Sequence, residues 1–169
     1  MSSAPSPQIA VGVVVERRKA TSPWIDHVWR AVGTLPDAPD MAPWTVLREE
    51  EDVVLFYAGS RIVNLYHSET GRYRDNLATG QASLWVVLSP AEGEWPYTLA
   101  AVTADPAEGE AFTEAGANLV EAVAMPDALR EVVESFVAEH HVEQEFVKRK
   151  RTRADPEALA RRQPDGGHE

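Results

Sequence analysis

The 169-residue chain has no cysteine. That absence removes disulfides, thiolate metal ligands, iron–sulfur ligation and a cysteine nucleophile together. No apolar run approaches the ~18 residues that a membrane-spanning helix requires. The phosphate-cradling patterns G-x-x-x-x-G-K-[ST] and G-x-G-x-x-G do not occur, nor does a G-x-S-x-G elbow that would expose a serine nucleophile. The opening residues MSSAPSPQ lack the basic region and apolar core of a signal peptide, so a soluble, cytoplasmic protein is expected. Bases are scarce over most of the length. Residues 1–147 hold 9 Lys and Arg against 23 Asp and Glu, a balance of −14, whereas residues 148–169 hold 7 against 4, a balance of +3. An acidic body repels a phosphate backbone, so neither nucleic acid nor membrane is an expected partner.

What is present reads as one domain, its 44% hydrophobic content sufficient for a core. The organisation expected is a disordered lead-in over 1–7, a single globular domain over 8–148 and a basic, disordered tail over 149–169. Ile9 to Val15 is a β-branched run that predicts the first strand, and Glu16 to Lys19 carries it into solvent. One helical or irregular turn near Pro23 precedes a strand from about Val28 to Leu35. Three prolines between Pro36 and Pro43 predict a surface loop, and Trp44 to Leu47 a short strand. The four acids from Glu49 to Asp52 predict a hairpin tip, because consecutive carboxylates point apart and do not converge on a cation.

The richest stretch is Val53 to Leu88. Val53–Tyr57, a turn at Ala58–Arg61 whose glycine takes positive φ, and Ile62–Tyr66 are read as an antiparallel hairpin. Ser68–Gly71 is read as a second turn, Tyr73–Gly80 as a polar loop, and Leu84–Leu88 as a strand buried on both faces. Tyr97–Thr103 follows as a strand. Asp105-Pro106 opens a short helix that Gly116 ends, and Asn118–Ala124 is the last strand. From about Pro126 to Lys148, Leu129, Val132, Val133, Phe136, Val137 and His140 recur at helical spacing and define one apolar stripe. The predicted class is α+β: a mostly antiparallel sheet or sandwich with one short helix and a long C-terminal helix packed on it.

No residue set reads as a catalytic centre, a metal site or a cofactor site. His140 and His141 are adjacent on a helix and diverge by about 100°, so they do not share an ion. His67 and His27 are the candidates for a general base. The candidates for partner contact are Trp24 and Trp29 as aromatic anchors, Tyr73, Arg74 and Asn76 on the predicted loop, and the basic run Lys148, Arg149, Lys150 and Arg151.

A set of local motifs adds a resemblance. Val15-Glu16-Arg17-Arg18, Ser22-Pro23-Trp24 with Trp29, Leu65-Tyr66-His67-Ser68-Glu69 with Tyr73 and Asn76-Leu77, Trp85 to Leu88, Val102 to Pro106, Met125-Pro126, and Phe146 to Arg151 together resemble an uncharacterised proteobacterial family of unknown function. The resemblance covers about residues 8 to 153. Members of that family tend to lie beside genes for molybdenum-dependent formate dehydrogenase, its chaperone and ferredoxin-like proteins, and some are labelled molybdopterin-guanine dinucleotide synthesis proteins. The resemblance therefore implies a non-catalytic accessory or assembly protein for a molybdenum enzyme, its partner a formate dehydrogenase subunit or the chaperone. It brings no catalytic residues. The alternatives are a small hydrolase or transferase built on His67 or His27, and guanylyl transfer to the molybdenum cofactor. The sequence leaves the oligomeric state open.

Overall fold

The computed structural model describes residues 7–141. The α+β class holds: two antiparallel sheets carry three helices. Strands β1 (Gln8–Lys19), β2 (His27–Pro36), β3 (Thr45–Glu49) and β4 (Val53–Asn64) form a four-stranded sheet in the order β2-β1-β4-β3. Strands β5 (Ser83–Pro90), β6 (Tyr97–Thr103) and β7 (Leu119–Ala124) form a three-stranded sheet in the order β6-β5-β7. A single 3-10 turn at His67–Glu69 leads into α1 (Thr70–Ala78), α2 (Pro106–Glu114) follows β6, and α3 spans residues 127–141.

The core follows from strand alternation. Val11, Val13 and Val15 of β1 point inward and are fully buried, and Leu84, Val86 and Leu88 of β5 meet them from the other sheet. Helix α3 lays Leu129, Val133, Phe136 and Val137 into the same core, with Phe136 against Tyr73 of α1. The predicted stripe is one residue too wide, since Val132 is 38% exposed. The continuation of this helix towards Lys148 lies outside the described residues. At the other end of the strands Trp29, Trp44, Phe56, Trp95 and Tyr97 pack ring on ring, and Arg17 caps Trp29 and Phe56 with its guanidinium.

Three predicted features are corrected. Ala58–Arg61 is not a turn: β4 runs unbroken from Val53 to Asn64. Its register against β1 steps from Val14↔Tyr57 to Val13↔Gly59, leaving Ala58 as the extra residue of a β-bulge, with Gly59 at φ +118°. The glycine does supply positive φ, but β1 pairs from Gln8 to Arg18 with both halves of β4 and holds them in line. Ser68–Gly71 and Tyr73–Gly80 are not a hairpin-like turn and a loop: Ser68 and Glu69 lie in the 3-10 turn, and α1 runs from Thr70 to Ala78 with a buried face of Thr70, Tyr73 and Asn76. The fold thus has a second short helix. The capping prediction holds at α2, where Asp105 accepts from the Ala107 N–H at 2.9 Å ahead of Pro106.

Two glycines set how closely the outer layers approach. A Cβ on Gly12 would stand 2.8 Å from the Tyr57 ring and 3.2 Å from Pro39. The loop after β2 therefore folds over the outer face of β1 and β4, and the Tyr57 hydroxyl donates to the Pro39 carbonyl. On the other sheet α2 crosses Trp85 at Gly109, where a Cβ would stand 2.6 Å from the indole. Gly109→Ala forces that helix off the sheet and is expected to cost about 1–3 kcal/mol. Gly71→Ala, with no atom within 4 Å of the new methyl, is expected to gain roughly 0.5–1 kcal/mol. Urea unfolding of the two variants checks the pair.

Candidate functional site

Helix α1 positions most of the polar side chains of interest. Asn76 is buried and ties three backbone groups together: its amide donates to the Ser83 carbonyl at 2.8 Å and the Ala104 carbonyl at 3.1 Å, and its oxygen accepts from the Ser83 N–H at 3.0 Å. Tyr73 is buried on the same face, and its hydroxyl accepts from the Tyr66 N–H at 3.0 Å. Both residues were partner candidates. The structure gives them architectural work, holding α1 to the starts of β5 and α2.

Arg74 is exposed on another face of the helix, with its Nη1 2.7 Å from Nε2 of His141. His67 stacks on His140 at 4.0 Å and tilts against Phe136, so these two histidines help to seat α3. His27 begins β2 and is exposed. Trp29 belongs to the aromatic cluster, whereas Trp24 stands 89% exposed in the turn between β1 and β2. The run Lys148–Arg151 lies outside the described residues.

A concavity lined by four charged side chains was missed by sequence reasoning. Tyr66, Glu69, Arg72, Tyr73, Asp105, Ala107, Glu108 and Ala111 line a cavity of about 540 Å³ where α1 meets the start of α2. Arg72 pairs with Glu69 one turn away and with Asp105 at 3.1 Å. Its pKa is raised further, first by the hydrogen bond to Asp105 and then by the fields of Asp105 and Glu69. The Tyr73 phenol is pushed up to about 12, chiefly by burial and further by Asp105, Glu69 and Glu108, against a downward contribution from the Tyr66 N–H. A guanidinium that stays charged and a phenol that keeps its proton offer binding groups and no acid–base pair near neutral pH. The spacing of Glu69 and Arg72 marks them as one helix face, but only the structure brings Asp105 and Glu108 to it.

Residues 10–150 match the model of a family described as proteins of unknown function, DUF3305. The chain belongs to the DUF3305 family. No curated protein and no solved structure shows significant similarity to it. Among the described residues of this DUF3305 domain no group of three or more His, Asp and Glu is placed to hold a metal ion, and no helix is long and apolar enough to cross a membrane.

The raised phenol pKa gives a pH signature. A group whose folded pKa exceeds its unfolded value of ~10 contributes stability that is complete below pH ~10 and is lost as pH climbs to about 12. Wild type is expected to lose stability faster than Tyr73→Phe across this window, as measured by urea unfolding at stepped pH. Parallel profiles would contradict the assignment.

Proposed function

We propose that this DUF3305 chain is a non-catalytic accessory protein that binds and helps to assemble a molybdenum enzyme, with a formate dehydrogenase subunit or its chaperone as the partner. The enzyme's identity rests on the resemblance described above. The binding role rests on Trp24. A domain that clusters three other tryptophans, Trp29, Trp44 and Trp95, leaves this one in solvent, beside the exposed Ile25 and near Val28. The turn that carries it is braced, since the Trp24 N–H donates to the Ser22 hydroxyl and the Ala20 N–H to the Asp26 carbonyl. An exposed tryptophan on a braced tip has the character of an interface anchor, and a contiguous apolar tip is a surface that a partner covers.

The tagged chain is purified from its own cells grown with molybdate and formate, and the bound proteins are identified by mass spectrometry. A formate dehydrogenase subunit or its chaperone is expected in the eluate. Its recovery is expected to fall roughly tenfold or more with Trp24→Ser, as for an anchor contributing ~2 kcal/mol, at an unchanged melting temperature. A chain recovered alone, or a partner retained equally by Trp24→Ser, contradicts the proposal.

A further inference from the structure

The two sheets meet along two seams, β2 beside β7 and β4 beside β6, and no ladder joins either pair. At β2/β7 the Glu121 carboxylate crosses over, accepting from the Ala31 N–H at 3.3 Å and from Arg30 Nε at 3.5 Å. At β4/β6 no hydrogen bond from a side chain links the two strands among the described residues. Beyond Tyr57, where β3 stops pairing, this seam opens into a cavity of about 440 Å³. Its floor is formed by the buried residues Tyr57, Ala58, Gly59 and Leu99.

The roof is the segment between β2 and β3, and it is braced. Pro39 lies over Gly12 and its carbonyl accepts from the Tyr57 hydroxyl at 3.1 Å, while Pro43 stands close to Gly59. Within the segment the Met41 N–H donates to the Pro39 carbonyl at 3.0 Å, and the Thr45 hydroxyl to the Ala42 carbonyl at 2.6 Å. Asp37, Ala38 and Trp44 take φ of 62°, 35° and 67°, and among the described residues no others with a β-carbon are at positive φ. Left-handed backbone is disfavoured for such residues, for a bulky one above all, and it persists where the surroundings impose it. Trp44 is held in this way: its ring stacks on Trp95 and meets Trp29 and Phe56 edge-on, and its N–H donates to the Tyr57 carbonyl. The roof is thus fixed at both ends in a shape that stands clear of the β4 edge, and the space beneath it is pre-formed.

Two charged side chains line the cavity, Asp40 and Arg61, both exposed at its rim. They do not pair with one another, and neither joins an ion pair among the described residues. Arg61 Nη1 donates to the Ser60 carbonyl at 2.9 Å, which keeps the guanidinium beside the cavity wall. Pro39, Met41 and Trp44 add apolar surface above the buried floor. We propose that this cavity binds a small zwitterion with an apolar body, the chemistry of a free α-amino acid with a large apolar side chain. Its ammonium meets Asp40, its carboxylate meets Arg61, and its side chain lies against Met41 and Trp44. Each charged end then gains a charge-assisted hydrogen bond. A simple anion or cation satisfies only one side of the rim and faces a like charge on the other. The volume falls within the range of small-molecule sites, roughly 300–1,000 Å³. This site is distinct from the Trp24 tip, and the inference does not depend on the identity of the enzyme partner.

L-leucine, L-methionine and L-phenylalanine are titrated into the full chain and followed by calorimetry and by the fluorescence of Trp44 and its stacked neighbour Trp95. At least one is expected to bind at roughly millimolar concentration or below, and to protect amides within residues 37–44 and 58–61 from hydrogen exchange. The amide of the tightest binder, which lacks the carboxylate, and its deaminated acid, which lacks the ammonium, are each expected to bind roughly tenfold or more weakly. Asp40→Asn and Arg61→Gln are expected to cost a similar factor at an unchanged melting temperature, since both side chains are exposed, whereas Trp24→Ser binds as wild type does. Absence of binding by all three amino acids overturns the proposal. So does equal binding of the amide or the deaminated acid, an affinity unmoved by Asp40→Asn and Arg61→Gln, or protection confined to other segments.

Discussion

The constraint on which this fold depends is that two antiparallel sheets, each contributing three strands, are brought together around one core. An antiparallel ring needs strand directions to alternate all the way round. Six strands enclose this core, and they lie side by side with no ladder joining them at two places, β4/β6 and β2/β7. Across those two seams no ladder forms among the described residues, and a buried N–H without an acceptor costs about 1–3 kcal/mol. Glu121 meets part of that demand at β2/β7 with a charged acceptor, while β4/β6 is left as a groove. The bulge at Ala58-Gly59 belongs to the same problem, because it lies where β4 leaves β3 and turns its edge towards β6.

Much of this was legible in the sequence. The β-branched run of β1, the buried run of β5, the bounds of β6 and the aspartate cap of α2 all come from patterns only a few residues long, where one physical effect dominates. The misread elements are those where a local signal has two outcomes. A glycine at positive φ serves a hairpin turn or a bulge, and the choice at Gly59 is made by β1, some fifty residues away, which is long enough to pair with both halves of β4. Helix α1 was hidden because its buried face is Thr70, Tyr73 and Asn76, with no aliphatic stripe to announce it. Asn76 reads as a turn residue until Ser83 and Ala104 are placed around it.

The candidate surfaces divide in the same way. The exposure of Trp24 was legible because a tryptophan in a Ser-Pro turn has few local partners, and it stands in solvent. Glu69, Arg72, Asp105 and Glu108 were not legible as a group, since they come from two helices separated by two strands and converge only through tertiary packing. Tyr73 and Asn76 illustrate the converse, as polar and aromatic residues in an apparently open segment whose work is internal. The domain thus carries an exposed tryptophan at one tip and a cavity lined by charged side chains where α1 meets α2.

The account rests most directly on the carboxylate that crosses from β7 to β2. Amide hydrogen exchange at Ala31, compared between wild type and Glu121→Ala, measures that contact alone. A hydrogen bond to a charged acceptor contributes about 1.5–3 kcal/mol, so the Ala31 amide is predicted to exchange roughly ten- to a hundredfold faster in the variant, while the β1-paired amides of β4 keep their protection. An Ala31 amide equally protected in both proteins would mean that the seam is closed by other means, and that the contrast between the two seams does not exist.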